Sequence, residues 1–309
     1  MIIMDSYGNC PPPYFKERNF TFMNNYIILT DSSCDLSAPL MRELGVAAIP
    51  LEVNIEGVGT KYNDELDPKE FYDFVRTKAS AKTSAVNMDR FKEFFEPYLK
   101  EGKDVIYVGF SSGLSVTYTN GKNAAEELSE EYPDRKIVAV DSLCASLGQG
   151  LLVTLAAKKQ AAGADFDEVV SFLEDTKLHL CHWFTVDDLF FLKRGGRVSA
   201  ATAVLGTVLS IKPVMHVDND GHLVNVAKAR GRRASITAMV DKLVETGINP
   251  ENQLMYICHG DCYDDAKLLS DMVKEKYPDC EIMIDYTGPV IGAHSGPGTL
   301  ALFFIGTER

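Results

Sequence analysis

Hydroxyl groups dominate the positions at which this chain could do chemistry. Three apolar runs end in them, at Asp31-Ser32-Ser33, Ser111-Ser112 and Asp141-Ser142. Gly109-Phe110-Ser111-Ser112-Gly113 fits the Gly-x-Ser-x-Gly pattern, which holds a serine nucleophile on a sharp strand-to-helix turn. With His294 downstream and aspartates between, the order Ser, Asp, His of an esterase-like serine hydrolase is present. Against that reading, few candidate strands precede the turn, and no glycine-rich oxyanion loop lies upstream. A turn of this composition can instead bind an anion through its amides and hydroxyls.

Other clusters admit a functional and a plainer reading. Cys258-His259-Gly260-Asp261-Cys262 has metal-ligand residue types, but a zinc site needs a second ligand pair, and none is spaced for it. His179, Cys181 and His182 would alternate along a strand and face opposite sides. Buried thiols and hydrogen-bonded histidines account for both clusters. Lys193-Arg194-Gly195-Gly196-Arg197 is a compact basic turn in an acidic chain, suited to meeting an anion or a partner. His294 lies in the glycine-dense segment 291–298, where the backbone can approach closely. No P-loop or Gly-x-Gly-x-x-Gly signature is present.

The elements that must position these residues alternate between strand and helix. Tyr26 to Thr30 reads as a buried strand, Ser37 to Leu44 as a helix capped by Gly45, and Ala47 to Ile55 as a second strand. Asp67-Pro68-Lys69-Glu70 is a helix start, with Asp as cap and Pro in the first turn. Lys82-Thr83-Ser84-Ala85 reads as a polar loop. Phe91, Phe94, Phe95 and Tyr98 then share one helix face. Strands over 104–108 and 136–140 follow, with helices to 128 and over 147–162. This alternation predicts βαβ units and a mainly parallel sheet, whose ligands bind beyond the carboxyl ends of its strands.

The second half mixes hairpins with helices. Asp218-Asn219-Asp220-Gly221 interrupts an apolar stretch as a hairpin turn does, and further strands are expected over 178–186, 253–258, 281–285 and 300–305. The expected architecture is α/β with two domains: an N-terminal α/β domain over 26–163 and a mixed-sheet α/β domain over 164–309. Residues 1–25, with Pro11-Pro12-Pro13, read as an extended, poorly ordered leader.

Composition narrows the function classes. The 309 residues carry 31 Lys and Arg against 44 Asp and Glu, a formal net charge of −13. That balance disfavours nucleic-acid binding, which draws on counterion release by basic side chains. The seven cysteines are odd in number and scattered, which fits reduced thiols in the cytoplasm rather than a disulfide framework. No transmembrane segment is expected, because no apolar run reaches the length of a membrane span. Nor is there a secretory leader pattern at the start.

An ordered set of separated motifs resembles the DegV family of fatty-acid-binding proteins, over roughly residues 26–306. They are TDSSCDL (30–36), KTS (82–84), SSGLSVTY (111–118), VDS (140–142), LKRGGRVS (192–199), LSIKPV (209–214) and the terminal GAHSGPGTLAL segment. The resemblance implies a long-chain fatty acid, such as a sixteen- or eighteen-carbon acid, held between the two domains, with no other cofactor and no metal. It implies carboxylate contacts from Thr83, Ser84, Ser115 and His294. It also implies a carrier without activity of its own, which presents the carboxylate to a separate ATP-dependent bacterial fatty-acid kinase for acyl-phosphate formation. Arg194 and Arg197 match the region that docks the kinase. A transient contact with the membrane is compatible with such a carrier. The chain departs from the family pattern at Ala85-Val86, where Gln-Pro is usual, and at Val116, where glycine is usual.

Overall fold

A computed structural model describes residues 25–77, 80–199 and 211–309. Residues 1–24 of the proposed leader and the first two residues of the LSIKPV segment lie outside the described residues.

The first layer is a parallel sheet of order β2-β1-β6-β7. It is formed by β1 (Tyr26–Asp31), β2 (Ala47–Ile49), β6 (Asp104–Gly109) and β7 (Ile137–Asp141). Every pairing in it is parallel. Strand order reverses between β1 and β6, so the loops after these two strands diverge and leave a crevice at their carboxyl ends. Asp31 ties the crevice together. Its carboxylate accepts hydrogen bonds from the Tyr107 hydroxyl at 2.8 Å, the Phe110 amide at 2.9 Å and the Ser33 amide at 3.1 Å.

The helices around this sheet form where the sequence supplies caps. α1 (Ala38–Leu44) ends at Gly45 in the left-handed conformation, and Asp67 caps α2 (Pro68–Arg76) by accepting from the Glu70 amide. α3 (Met88–Lys100) buries Phe91 and Phe95 against Tyr107, with ring centroids 5.0 and 5.6 Å apart. α4 (Thr117–Glu131) and α6 (Phe166–Thr176) complete the cover.

Two sequence expectations are corrected here. The stretch 47–55 is not one strand. Pro50, which cannot donate to a ladder, separates β2 from β3 (Glu52–Ile55), and β3 joins a different sheet. The Lys82-Thr83-Ser84 segment is not a loop but most of β5 (Ala81–Ser84). Together β3, β4 (Gly59–Tyr62) and β5 make a small antiparallel sheet in which Val53 opposes Thr83. A four-residue polar strand has too little apolar alternation to be read as a strand from sequence.

The second large sheet is mixed, of order β10-β9-β8-β13-β11-β12. It comprises β8 (Leu180–Thr185), β9 (Ile211–Val217), β10 (Leu223–Arg230), β11 (Leu254–His259), β12 (Glu281–Tyr286) and β13 (Leu300–Ile305). Only β11 and β12 pair in parallel. The β9–β10 hairpin turns at the expected residues, where Asp218 accepts from the Asp220 and His222 amides. α8 (Arg232–Thr246) and α9 (Tyr263–Lys276) pack on its outer face.

The apolar helix α5 (Leu147–Ala161) lies between the two large sheets and touches β1 and β6 of one and β8, β11 and β13 of the other. It can do so because Gly148 meets the His182 ring so closely that a Cβ there would lie 2.1 Å from Nε2. α7 (Leu189–Arg194) and α10 (Pro289–Ser295) border the opening between the layers.

Candidate ligand cavity

Where the carboxyl ends of the parallel sheet face the inner side of the mixed sheet, there is a cavity of about 460 Å³. Its floor is apolar. Phe184, Ala301 and Cys258 lie side by side across β8, β13 and β11, with Phe303, Val217 and Leu223 beside them. This row faces inward because side chains alternate along each strand, leaving Trp183 and Leu302 to the outer core.

The other wall is polar. Thr83 comes from β5, His294 from α10 and Ser115 from the loop that follows β6. Thr83 Oγ1 lies 2.7 Å from His294 Nε2. Ser115 Oγ lies 2.9 Å from Thr117 Oγ1 and accepts from the Thr117 amide at 3.2 Å, so it opens α4. Ser84 is exposed at the rim. All four residues expected at a head group therefore border one cavity.

Burial depresses the His294 pKa to about 4, and the positive charges of Arg197 and Arg194 add to the effect. The ring is thus neutral at pH 7. Gly195 packs on it so tightly that a Cβ at this position would lie 2.3 Å from Nδ1. The basic turn divides at this point. Arg197 is half-buried, lines the cavity and donates to the Gly195 carbonyl. Arg194 is exposed, with its guanidinium 4.7 Å above the Phe191 ring.

The geometry does not assemble a serine hydrolase. Ser111 is fully buried; its hydroxyl donates to the Gly221 carbonyl at 2.9 Å and accepts from the Gly113 amide at 3.2 Å. His294 is engaged with Thr83 instead. Nor do the cysteines and histidine of the segment 258–262 converge. Cys258 faces the cavity, Cys262 donates to the Thr299 carbonyl, and His259 packs on Tyr286. Among the described residues, the cluster with metal-ligand proximity is the exposed hairpin tip Asp218, Asp220 and His222.

Known proteins share the fold that carries this cavity. The family model described as an uncharacterised protein of the DegV family matches residues 25–307. The chain belongs to the DegV family. A DegV domain-containing protein of Clostridium perfringens is 46% identical over 291 residues, covering 93% of this chain and 99% of that one. A DegV family protein from Thermus thermophilus, described by its fatty acid binding, superposes with a TM-score of 0.81 at 30% identity, over 90% of this chain and 98% of that one. The Streptococcus pneumoniae fatty acid kinase B3 protein, solved with linoleic acid, shares the fold with a TM-score of 0.80 over 91% of this chain and 99% of that one. At 22% identity, that is a likeness of fold.

This DegV chain also has cavity residues that sequence reading missed. Ser146 donates to Asp35 Oδ2 at 2.5 Å and lies 3.4 Å from Cys258 Sγ, and Thr287 donates to Cys258 at 3.0 Å. Ser146 holds φ 54° and ψ −145°, a backbone region that non-glycine residues rarely occupy, and such strain concentrates at functional sites. Burial raises the Asp35 pKa to about 8, and the nearby Asp285 and Asp31 oppose its ionisation further. Burial also pushes the Cys258 thiol up to about 12, so the thiol is unreactive. A Ser-rich turn gave no signal for this network, because its partners come from distant strands. Among the described residues, no helix is long and apolar enough to cross a membrane.

Proposed function

We propose that this DegV protein is a carrier of a long-chain fatty acid. The carboxylate sits among Thr83, Ser84, Ser115 and His294, and the tail lies along Phe184, Ala301 and Phe303. One observation carries the reading: a single cavity joins an apolar floor to a cluster of uncharged hydroxyl donors around a neutral histidine. Its volume suits a small-molecule ligand. Burying an acyl chain releases roughly 0.8 kcal/mol per CH₂, on the order of 10 kcal/mol for sixteen carbons before ordering costs.

In this reading, His294 carries its proton on Nε2 and donates to Thr83 Oγ1. The Thr83 hydroxyl proton is then free to point at a carboxylate oxygen. Ser115 supplies a second hydroxyl at the start of α4, where amide dipoles also favour an anion. Such a site hydrogen-bonds the carboxylate without locking both oxygens.

The carrier performs no chemistry alone. A separate fatty-acid kinase in the cytoplasm supplies ATP. A carboxylate oxygen attacks the γ-phosphorus, the bond to the ADP oxygen breaks, and acyl phosphate and ADP form. The likeness of the motifs to the family supports the kinase role, with exposed Arg194 and half-buried Arg197 proposed as the docking turn beside the cavity.

The double variant Thr83→Ala with Ser115→Ala tests the head-group assignment. Losing two charge-assisted hydrogen bonds should weaken fatty-acid affinity at least about tenfold and slow acyl-phosphate formation with a purified kinase. Unchanged affinity and turnover would refute the assignment. Replacing Arg194 and Arg197 by Ala should leave the lipid bound and slow only the kinase step.

A further inference from the structure

The cavity wall contains more polar side chains than a carboxylate and a saturated tail require. Ser146 hydrogen-bonds Asp35 and lies beside Cys258, to which Thr287 donates. His182 accepts from the Ala145 amide and pairs with the Leu180 carbonyl, and Thr299 donates to the Gly296 carbonyl. An apolar chain can pass these groups without stranding any of them.

Ser295 differs. It lines the same cavity and is only 5% exposed, yet its hydroxyl has no hydrogen-bond partner. Among the described residues, it alone both lines this cavity and carries a buried, unpartnered polar side-chain atom. An unsatisfied buried hydroxyl is unfavourable, so a ligand group that pairs with it gains affinity. Rotation about one bond between staggered positions turns a serine hydroxyl toward a cavity it borders.

Its place in the chain limits where on the ligand that group would be. Ser295 directly follows His294, whose ring meets Thr83, and adjacent Cα atoms lie about 3.8 Å apart. Ser295 and His294 line the same cavity, so a ligand whose carboxylate meets Thr83 and His294 brings the first carbons of its chain toward the Ser295 side of the wall. A hydroxyl oxygen on the second or third carbon of the acyl chain has both the position and the chemistry, because it can donate and accept.

We infer that Ser295 is a specificity-determining residue, and that the cavity prefers long-chain acids hydroxylated next to the carboxyl end over the unsubstituted acid. This rests on the fatty-acid reading above. The preference amounts to one added hydrogen bond in a dry site, about fivefold in affinity.

The test is competition between palmitic acid and its 2-hydroxy and 3-hydroxy derivatives for the delipidated protein, measured by native mass spectrometry. At least one hydroxy acid should win by about fivefold. In Ser295→Ala that ratio should collapse to near one, and in Ser295→Thr, which keeps the hydroxyl, it should persist. Equal binding of all three acids to the native protein would overturn the inference while leaving the carrier reading intact, as would a preference that survives in Ser295→Ala. If no acid binds, the carrier reading fails and the inference falls with it. If Ser295→Ala does not fold, the ratio in the native protein still decides between preference and none.

Discussion

Thr83 and His294 are 211 positions apart in the chain, yet their side chains meet at 2.7 Å. The protonation state of His294 controls what the pair can do. A neutral ring can take one proton role toward Thr83 and leave the Thr83 hydroxyl available to a ligand, whereas a charged ring would add a cation beside Arg197. Burial, with Arg197 and Arg194 close by, sets the pKa at about 4, against 6.5 for a free side chain. Because the folded value is depressed, the stability His294 contributes is full above 6.5 and is lost as the pH falls through the folded value. In the lipid-free protein, the NMR signal of the His294 ring should therefore stay constant from pH 8 down to about 5.5. A titration step centred near the free value would contradict the buried, neutral ring. Residue types at this scale were legible: Thr83, Ser84, Ser115 and His294 all border the cavity. Ser146 and Ser295 were not, because a strained φ and a missing partner are properties of the fold, invisible in residue type.

At the scale of elements, the small sheet β3–β5 and helix α2 form an arm that carries Thr83 and Ser84 to the cavity. Several contacts hold the arm to α10, to the residues before it and to the turn after β11. The Tyr72 hydroxyl donates to the Thr287 carbonyl at 2.8 Å, Asn63 accepts from the Val290 amide at 3.0 Å, and Arg76 pairs with Asp261. The Arg76 pair is partly exposed and adds little to stability, whereas the Tyr72 bond is fully buried. Tyr72→Phe should lower the unfolding free energy by about 1–2 kcal/mol in urea denaturation, since it strands a buried carbonyl. An unchanged midpoint would mean the arm is not held this way. Most strands and helices could be read from apolar runs, caps and turn residues. The arm could not: its strands are short and polar, and their pairing is decided by Pro50 breaking the chain out of the parallel sheet.

For the whole molecule, the account depends on two layers closing over one cavity. Helix α5 lies between them, and a polar seam joins them, with Asp35 and Ser146 on the parallel-sheet side and Cys258 and Thr287 on the other. That alternation and hairpins would give a parallel and a mixed sheet was legible from sequence. The packing that brings Phe184, Ala301 and Cys258 into one floor was not, because it follows from the register between strands distant in the chain. The most direct test of the central claim is the native mass spectrum of the protein purified from cells without added lipid, compared with its denatured mass. The account predicts a noncovalent excess equal to a sixteen- or eighteen-carbon acid that disappears on denaturation. No excess, both as purified and after incubation with a panel of fatty acids, would contradict it and leave the cavity without its proposed ligand.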